Sequence, residues 1–241
     1  MEAHRRTPNA IEQVGRSTAR VEDLRQASTG GGERSSRAYH HGDLRNALLR
    51  EALRRTVASG YRSVVGREVA SAVGVTPSSV YRHYPSHAHL LAAVARKARE
   101  ALAERLVEAA EQASARDDVA GSSARRAVAR FEAIGRAYVV FAISNPGLFE
   151  VAFANVGAPP DAPDDPSAWQ VLTTSLDEVV ETGAMDQRFR EIAPYAAWSA
   201  VHGLAGILQW TGETGSSRCG QIPFVDEVIG AVKRSLGIPA F

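Results

Sequence analysis

A single cysteine, Cys219, in 241 residues excludes an intrachain disulfide and any zinc site built from several thiolates, and it fits a reducing, cytoplasmic setting. Long hydrophobic runs are missing as well. No stretch approaches ~18 apolar residues, and no apolar segment follows Arg5 and Arg6, so neither membrane insertion nor secretion is expected. Runs of alternating β-branched residues, the ordinary signal for strands, are not found. Glycine-rich phosphate loops and nucleophile-elbow patterns are lacking too. Ser199 near His202, with Asp226 or Glu227 imagined as a third member, therefore makes a poor catalytic set, and neither an enzyme nor a cofactor is expected. His40, His41 and Asp43 could suggest a metal, but adjacent histidines point apart in most backbone states and lack a third close ligand, so no metal site is expected.

What the chain has is an uneven distribution of charge. Residues 34–101 carry twelve Arg/Lys against four Asp/Glu, a net +8, while residues 102–241 carry eleven against eighteen, a net −7. Five of the seven histidines fall in the basic part. Such a change of sign separates a module that can face phosphates from one that the same duplex would repel. Residues 1–38 are polar, with the Ser28-Thr29-Gly30-Gly31-Gly32 tract, and are expected to form a disordered arm in which a helix over 10–26 has no evident partner surface.

Helical periodicity dominates the rest. Asp43 is expected to cap a helix running to Ser59, with Leu44, Ala47, Leu48, Leu53 and Val57 inward and Gly60 as its stop. Two short helices follow near 67–73 and 77–83. Longer ones are expected at 86–114, 122–143, 145–154, 165–184, 188–212 and 222–236, with a loop over the proline-rich segment 157–166. The fold class is therefore all-α, with about nine helices. An N-terminal three-helix domain is expected at 39–100 and a C-terminal helical domain at 101–241.

The most informative run is Gly74-Val75-Thr76-Pro77-Ser78-Ser79-Val80-Tyr81-Arg82-His83-Tyr84-Pro85. Gly74 provides a tight turn, Thr76 an N-cap, Pro77 a first helical residue and Pro85 a stop. The resulting helix is short and has little to bury. Ser78, Ser79, Tyr81, Arg82 and His83 are side chains of the kind that reach base edges and phosphates. Upstream, Val69, Ala70 and Val73 mark a first helix ending at the same glycine, which makes a helix-turn-helix whose second helix is the reader.

These residues, with Tyr39-His40-His41-Gly42-Asp43-Leu44-Arg45, Arg67-Glu68-Val69-Ala70 and Leu90-Leu91, stand in the order and spacing of the TetR family, and the chain resembles a TetR-type transcriptional regulator. The C-terminal part resembles a subgroup named for a Trp and a His-Gly pair, here Trp198, His202 and Gly203. The resemblance implies a homodimer on a palindromic operator in double-stranded DNA, a small-molecule effector held in a cavity of the C-terminal domain, and repression relieved by that effector. Arg67, Thr76, Ser78, Ser79, Tyr81, Arg82, His83 and His87 are the candidate DNA contacts. Tyr81 could instead pack its ring on the preceding helix, and Tyr84 is expected to be a core anchor. Arg34 and Arg37 could enter a minor groove.

Two departures stand out. Val65 and Gly66 replace the usual Ser or Thr cap and the apolar residue after it, and His87 replaces a phosphate-binding Lys. A lost cap costs about 1 kcal/mol, and an imidazole gains charge only in mildly acid solution. Operator binding is thus expected to be weaker and more pH-dependent than in a relative. The same departures support an alternative, a helical binding or interaction protein with a vestigial DNA-binding module.

In the C-terminal part, Phe131, Ile134, Tyr138 and Phe141 form an apolar stripe, and Phe149, Phe153 and Trp169 add aromatic mass. Tyr138, Phe141, Phe149, Trp198 and His202 are candidates for lining a ligand cavity, set against a plain core role. His202 in particular could simply hold helices together by a hydrogen bond. Leu204, Ile207, Leu208 and Trp210, with Phe224, Val225, Val228, Ile229, Val232 and Leu236, are more apolar than one buried stripe requires and suit contact between two subunits.

Overall fold

A computed structural model describes residues 41–115, 122–156, 167–212 and 224–241. The expected N-terminal arm and the loop over 157–166 lie outside the described residues. Nine α-helices occur among those described, with two 3₁₀ turns and no strand, so the protein is all-α. They are α1 (His41–Ser59), α2 (Gly66–Val73), α3 (Pro77–His83), α4 (His87–Ser114), α5 (Ser123–Ser144), α6 (Pro146–Phe153), α7 (Ala168–Glu181), α8 (Ala193–Thr211) and α9 (Val225–Ser235). The described residues divide into two compact units, one of 41–101 and 145–156 and the other of 102–115, 122–144, 167–212 and 224–241.

The first unit holds α1, α2, α3, the start of α4, and α6. In α1, Leu48, Ala52 and Leu53 are buried, and the helix begins at His41, so Asp43 lies in its first turn rather than at its cap. Gly60, at φ 77°, lets the chain leave α1 in a conformation few other residues accept. Helix α2 buries Val69 and Ala70 and closes in a Schellman motif: Gly74 has φ 81°, its N–H bonds to Ser71 O, and Val75 N–H bonds to Ala70 O. Arg55 bridges Glu51 of α1 and Glu68 of α2. By chain order α6 belongs beyond residue 100, yet it packs on α1, with Leu148, Phe149, Val151 and Ala152 buried. Arg62 pairs with Glu150 at 2.9 Å, and Arg99 donates to Ala152 O at 3.1 Å.

The second unit packs α5 against α7 and α8, with α9 laid on α5 and α8. Its core includes Phe131, Leu172, Leu176, Val179 and Ala197. Ser167 and Gln170 form a capping box at the start of α7. Sequence periodicity predicts one helix over 188–212, but a 3₁₀ turn at Gln187–Phe189 precedes α8. The helix begins at Ala193 because Pro194, which has no N–H to give an earlier turn, is tolerated only in the first one.

Candidate nucleic-acid interface and internal cavity

Helix α3 is anchored by Val80, 2% exposed, while Ser78 and Arg82 are exposed and Tyr81 keeps 53% of its surface in solvent. Ser79 and His83 are half-buried on its flanks. A seven-residue helix that spends one side chain on the core and presents serine, tyrosine and arginine outward is built for contact with something polar. Thr76 stands at the N-cap position with extended backbone and Pro77 follows at N1, as expected. Its hydroxyl, however, does not cap a backbone N–H: it meets the Ser78 and Ser79 hydroxyls, each at 2.9 Å. Three hydroxyls therefore sit together at the exposed start of the helix.

Arg67 is exposed in the first turn of α2. Val65, the residue before that helix, has extended backbone and makes no side-chain cap. The Tyr81 ring is half in solvent, and its hydroxyl lies 3.7 Å from where a Gly66 methyl would stand. Placing a cap where none exists should help. Val65→Thr is expected to raise the melting free energy by about 1 kcal/mol, checked by chemical denaturation; no gain would mean that the α2 N–H groups are already satisfied.

His87 is exposed in the first turn of α4, with one ring nitrogen engaged. Its Nε2–H donates to Val64 O at 2.7 Å, tying the first turn of α4 to the strand of chain just before α2. The ring thus acts as a brace for the helix-turn-helix. Tyr84 is 2% exposed, donates its hydroxyl to Arg45 O at 3.1 Å, and carries the Arg45 guanidinium over its ring at 5.5 Å. Arg45, part of the run that carries the family resemblance but not one of the expected DNA contacts, is an exposed cation brought beside the end of α3 by its contact with Tyr84.

The second unit contains a cavity of about 30 Å³, lined by Phe131, Ile134, Gly135 and Tyr138 of α5, Trp198 and Val201 of α8, Ile229 and Val232 of α9, and smaller apolar residues of α4 and α7. No lining residue is charged. Of the candidates, Tyr138 and Trp198 line it. His202 stands behind them, with Nδ1 2.7 Å from the Tyr138 hydroxyl and its ring stacked on Trp198. Phe141 is buried in α5 away from the lining, and Phe149 belongs to α6 in the first unit. Burial pushes the Tyr138 phenol up and holds the His202 imidazole below its ordinary 6.5.

A depressed histidine stabilises the fold fully above its unfolded value, and that contribution is lost as pH falls through the window beneath it. Melting temperature should therefore decline as pH falls below the ordinary imidazole value of about 6.5, and His202→Gln should flatten that decline. A profile identical to wild type would remove His202 as its cause.

Residues 48–94 match the family described as bacterial regulatory proteins, tetR family, and residues 131–216 match the tetracyclin repressor-like C-terminal domain. A protein of unknown function from Rhodococcus sp. RHA1 is similar in structure, with 25% identity and a TM-score of 0.63 over 84% of this chain and 97% of that one. The crystal structure of SCO4313 shares the fold at 17% identity and a TM-score of 0.50, over 84% of this chain and 98% of that one. PfmR, a TetR family transcriptional regulator from Thermus thermophilus, gives 16% identity and a TM-score of 0.47, over 80% and 99%. No curated protein matches the chain. The first of the two family matches spans α2, the Gly74 turn and α3, and the second spans the wall that carries Tyr138, Trp198 and His202; the chain belongs to the TetR family and is a DNA-binding transcriptional regulator.

Proposed function

We propose that the protein is a repressor that binds a palindromic operator as a homodimer and is released by a small, largely apolar, uncharged molecule. In this reading residues 39–100, with α6 packed on α1, form the DNA-binding module, and the rest of 101–241 the effector and dimer domain. The observation that carries it is the exposed polar face of α3, whose one fully buried side chain is Val80. Two copies of α3 must stand about 34 Å apart, or a multiple of that, to enter major grooves on one face of a duplex. Arg67, Thr76, Ser78, Ser79, Tyr81, Arg82, His83 and His87 contact DNA, His87 while its Nε2–H holds Val64 O.

The effector reading rests on the uncharged lining and on the aromatic wall of Tyr138 and Trp198. A ligand can loosen the repressor only as far as it prefers the released state. The dimer reading rests on α8, where Leu204 and Leu208 are buried within the unit while Tyr195, Ile207 and Trp210 are exposed. An enzyme is disfavoured by geometry: the His202 Nδ1 is turned to Tyr138, and Asp226 is held by Arg136, so Ser199, His202 and Asp226 do not form a relay. No described helix is long and apolar enough to cross a membrane, and we place the protein in the cytoplasm.

Gel retardation of DNA flanking the protein's own gene tests the proposal. It predicts sequence-specific retardation whose affinity falls steeply with salt. Weak, sequence-indifferent association would instead favour a helical interaction protein with a vestigial module.

A further inference from the structure

The cavity is far too small for the effector proposed above. About 30 Å³ accommodates a water or two, whereas an apolar cavity that accepts benzene is ~150 Å³. One wall must therefore move, and the walls are not equally fixed. Helix α7 is tied by its capping box, by Arg130–Glu178 and by Arg190–Asp177. Helix α9 is only eleven residues long, yet contributes Ile229 and Val232 to the lining.

Its attachments differ from end to end. Towards its C-terminus, Lys233, 7% exposed, pairs with Glu132 of α5, and Val232, Leu236 and Ile238 join the core cluster around Phe131 and Leu172. Towards its N-terminus, Val225 is buried, and Asp226 pairs with Arg136 one turn further along α5 in a half-exposed pair, where an ion pair contributes little. The two pairs also fix α9 antiparallel to α5 in this region. Between them lies Gly135. A methyl there would stand 3.0 Å from Ile229 Cδ1 and 3.3 Å from Ile229 Cγ1, so α9 sits about as close to α5 as a glycine allows.

We propose that α9 is the movable wall of the effector site: it swings about its Lys233 end, releases the Asp226–Arg136 latch and lifts Ile229 from Gly135 as an uncharged ligand enters. This rests on the reading of the cavity as the effector site.

Two variants of the full chain test it, Asp226→Asn to weaken the latch and Gly135→Ala to wedge the wall, both studied well below their melting temperatures. Hydrogen exchange of α9 and α7 amides is compared with wild type, and toluene serves as the ligand probe in calorimetric titrations. Asp226→Asn should speed exchange in the first half of α9 at least threefold, leave α7 unchanged, and tighten toluene binding at least threefold. Gly135→Ala should also speed α9 exchange but weaken toluene binding, because its methyl takes part of the void. Should that variant fail to fold, Asp226→Asn decides alone. Wild-type exchange in α9, or equal acceleration in α7, overturns the proposal. Failure of toluene to bind any of the three chains counts against the cavity as effector site, while the exchange comparison, which needs no ligand, still decides whether α9 moves.

Discussion

Gly147→Ala is expected to destabilise the DNA-binding unit by about 3 kcal/mol, at the upper end of what overpacking ordinarily costs. The methyl would fall 2.2 Å from Thr56 O and 3.2 Å from its carbonyl carbon. Neither atom can step aside. Thr56 lies in the last turn of α1, and its carbonyl accepts the Gly60 N–H at 2.9 Å where the helix ends. Helix α6 must be pushed off α1 instead, opening the packing of Leu148, Phe149, Val151 and Ala152. For a chain of this size the loss corresponds to roughly 10 °C in melting temperature, readable by calorimetry. A shift of less than about 2 °C would mean that α6 and α1 are not held against each other as described.

The second large effect concerns the duplex. Arg67 and Arg82 are exposed guanidinium groups on the two helices of the turn motif, and replacing both by alanine should lower operator affinity at least 100-fold at moderate salt. Each phosphate contact contributes about 0.9 to the slope of log affinity against log salt, and a bidentate base contact is worth roughly 1 to 3 kcal/mol. The single variants separate the two roles. Loss of slope marks a phosphate contact, and relaxed preference at one base pair marks a reader. A double variant that keeps both slope and affinity would remove these side chains from the interface.

The helix-turn-helix was legible because its signals are local. Gly74 is the residue that a left-handed turn requires, Thr76-Pro77 marks a helix start, and Pro85 forbids continuation. The alternation of Val80 with polar neighbours also foretold which side of α3 faces the core. The contacts that position the module were not legible, because they join residues distant in sequence. The bond from His87 to Val64 O spans 23 positions, and nothing in a histidine's immediate neighbours announces it. The approach of Gly147 to Thr56 is of the same kind: a glycine inside Asn145-Pro146-Gly147 looks like part of a turn until α1 is placed beneath it.

The cavity shows the same limit in another form. Periodicity puts Tyr138 and Phe141 near one face of α5, but which of them meets a void depends on what covers each, and that is decided by α8 and α9. Trp198 was legible only as wall or plain core, and His202 as wall or hydrogen-bonded core residue; its partner, the Tyr138 hydroxyl 64 positions away, was not legible. The late start of α8 did have a signal, Pro194, which outweighs an apolar pattern running back to residue 188.

Mapping the DNA that the protein protects beside its own gene bears most directly on α3 as the reader. The account predicts two related half-sites in inverted orientation, with centres one helical turn of about 10 base pairs or a multiple apart, and loss of protection with Arg82→Ala. A single unrepeated site, or protection that follows no sequence at all, would contradict it.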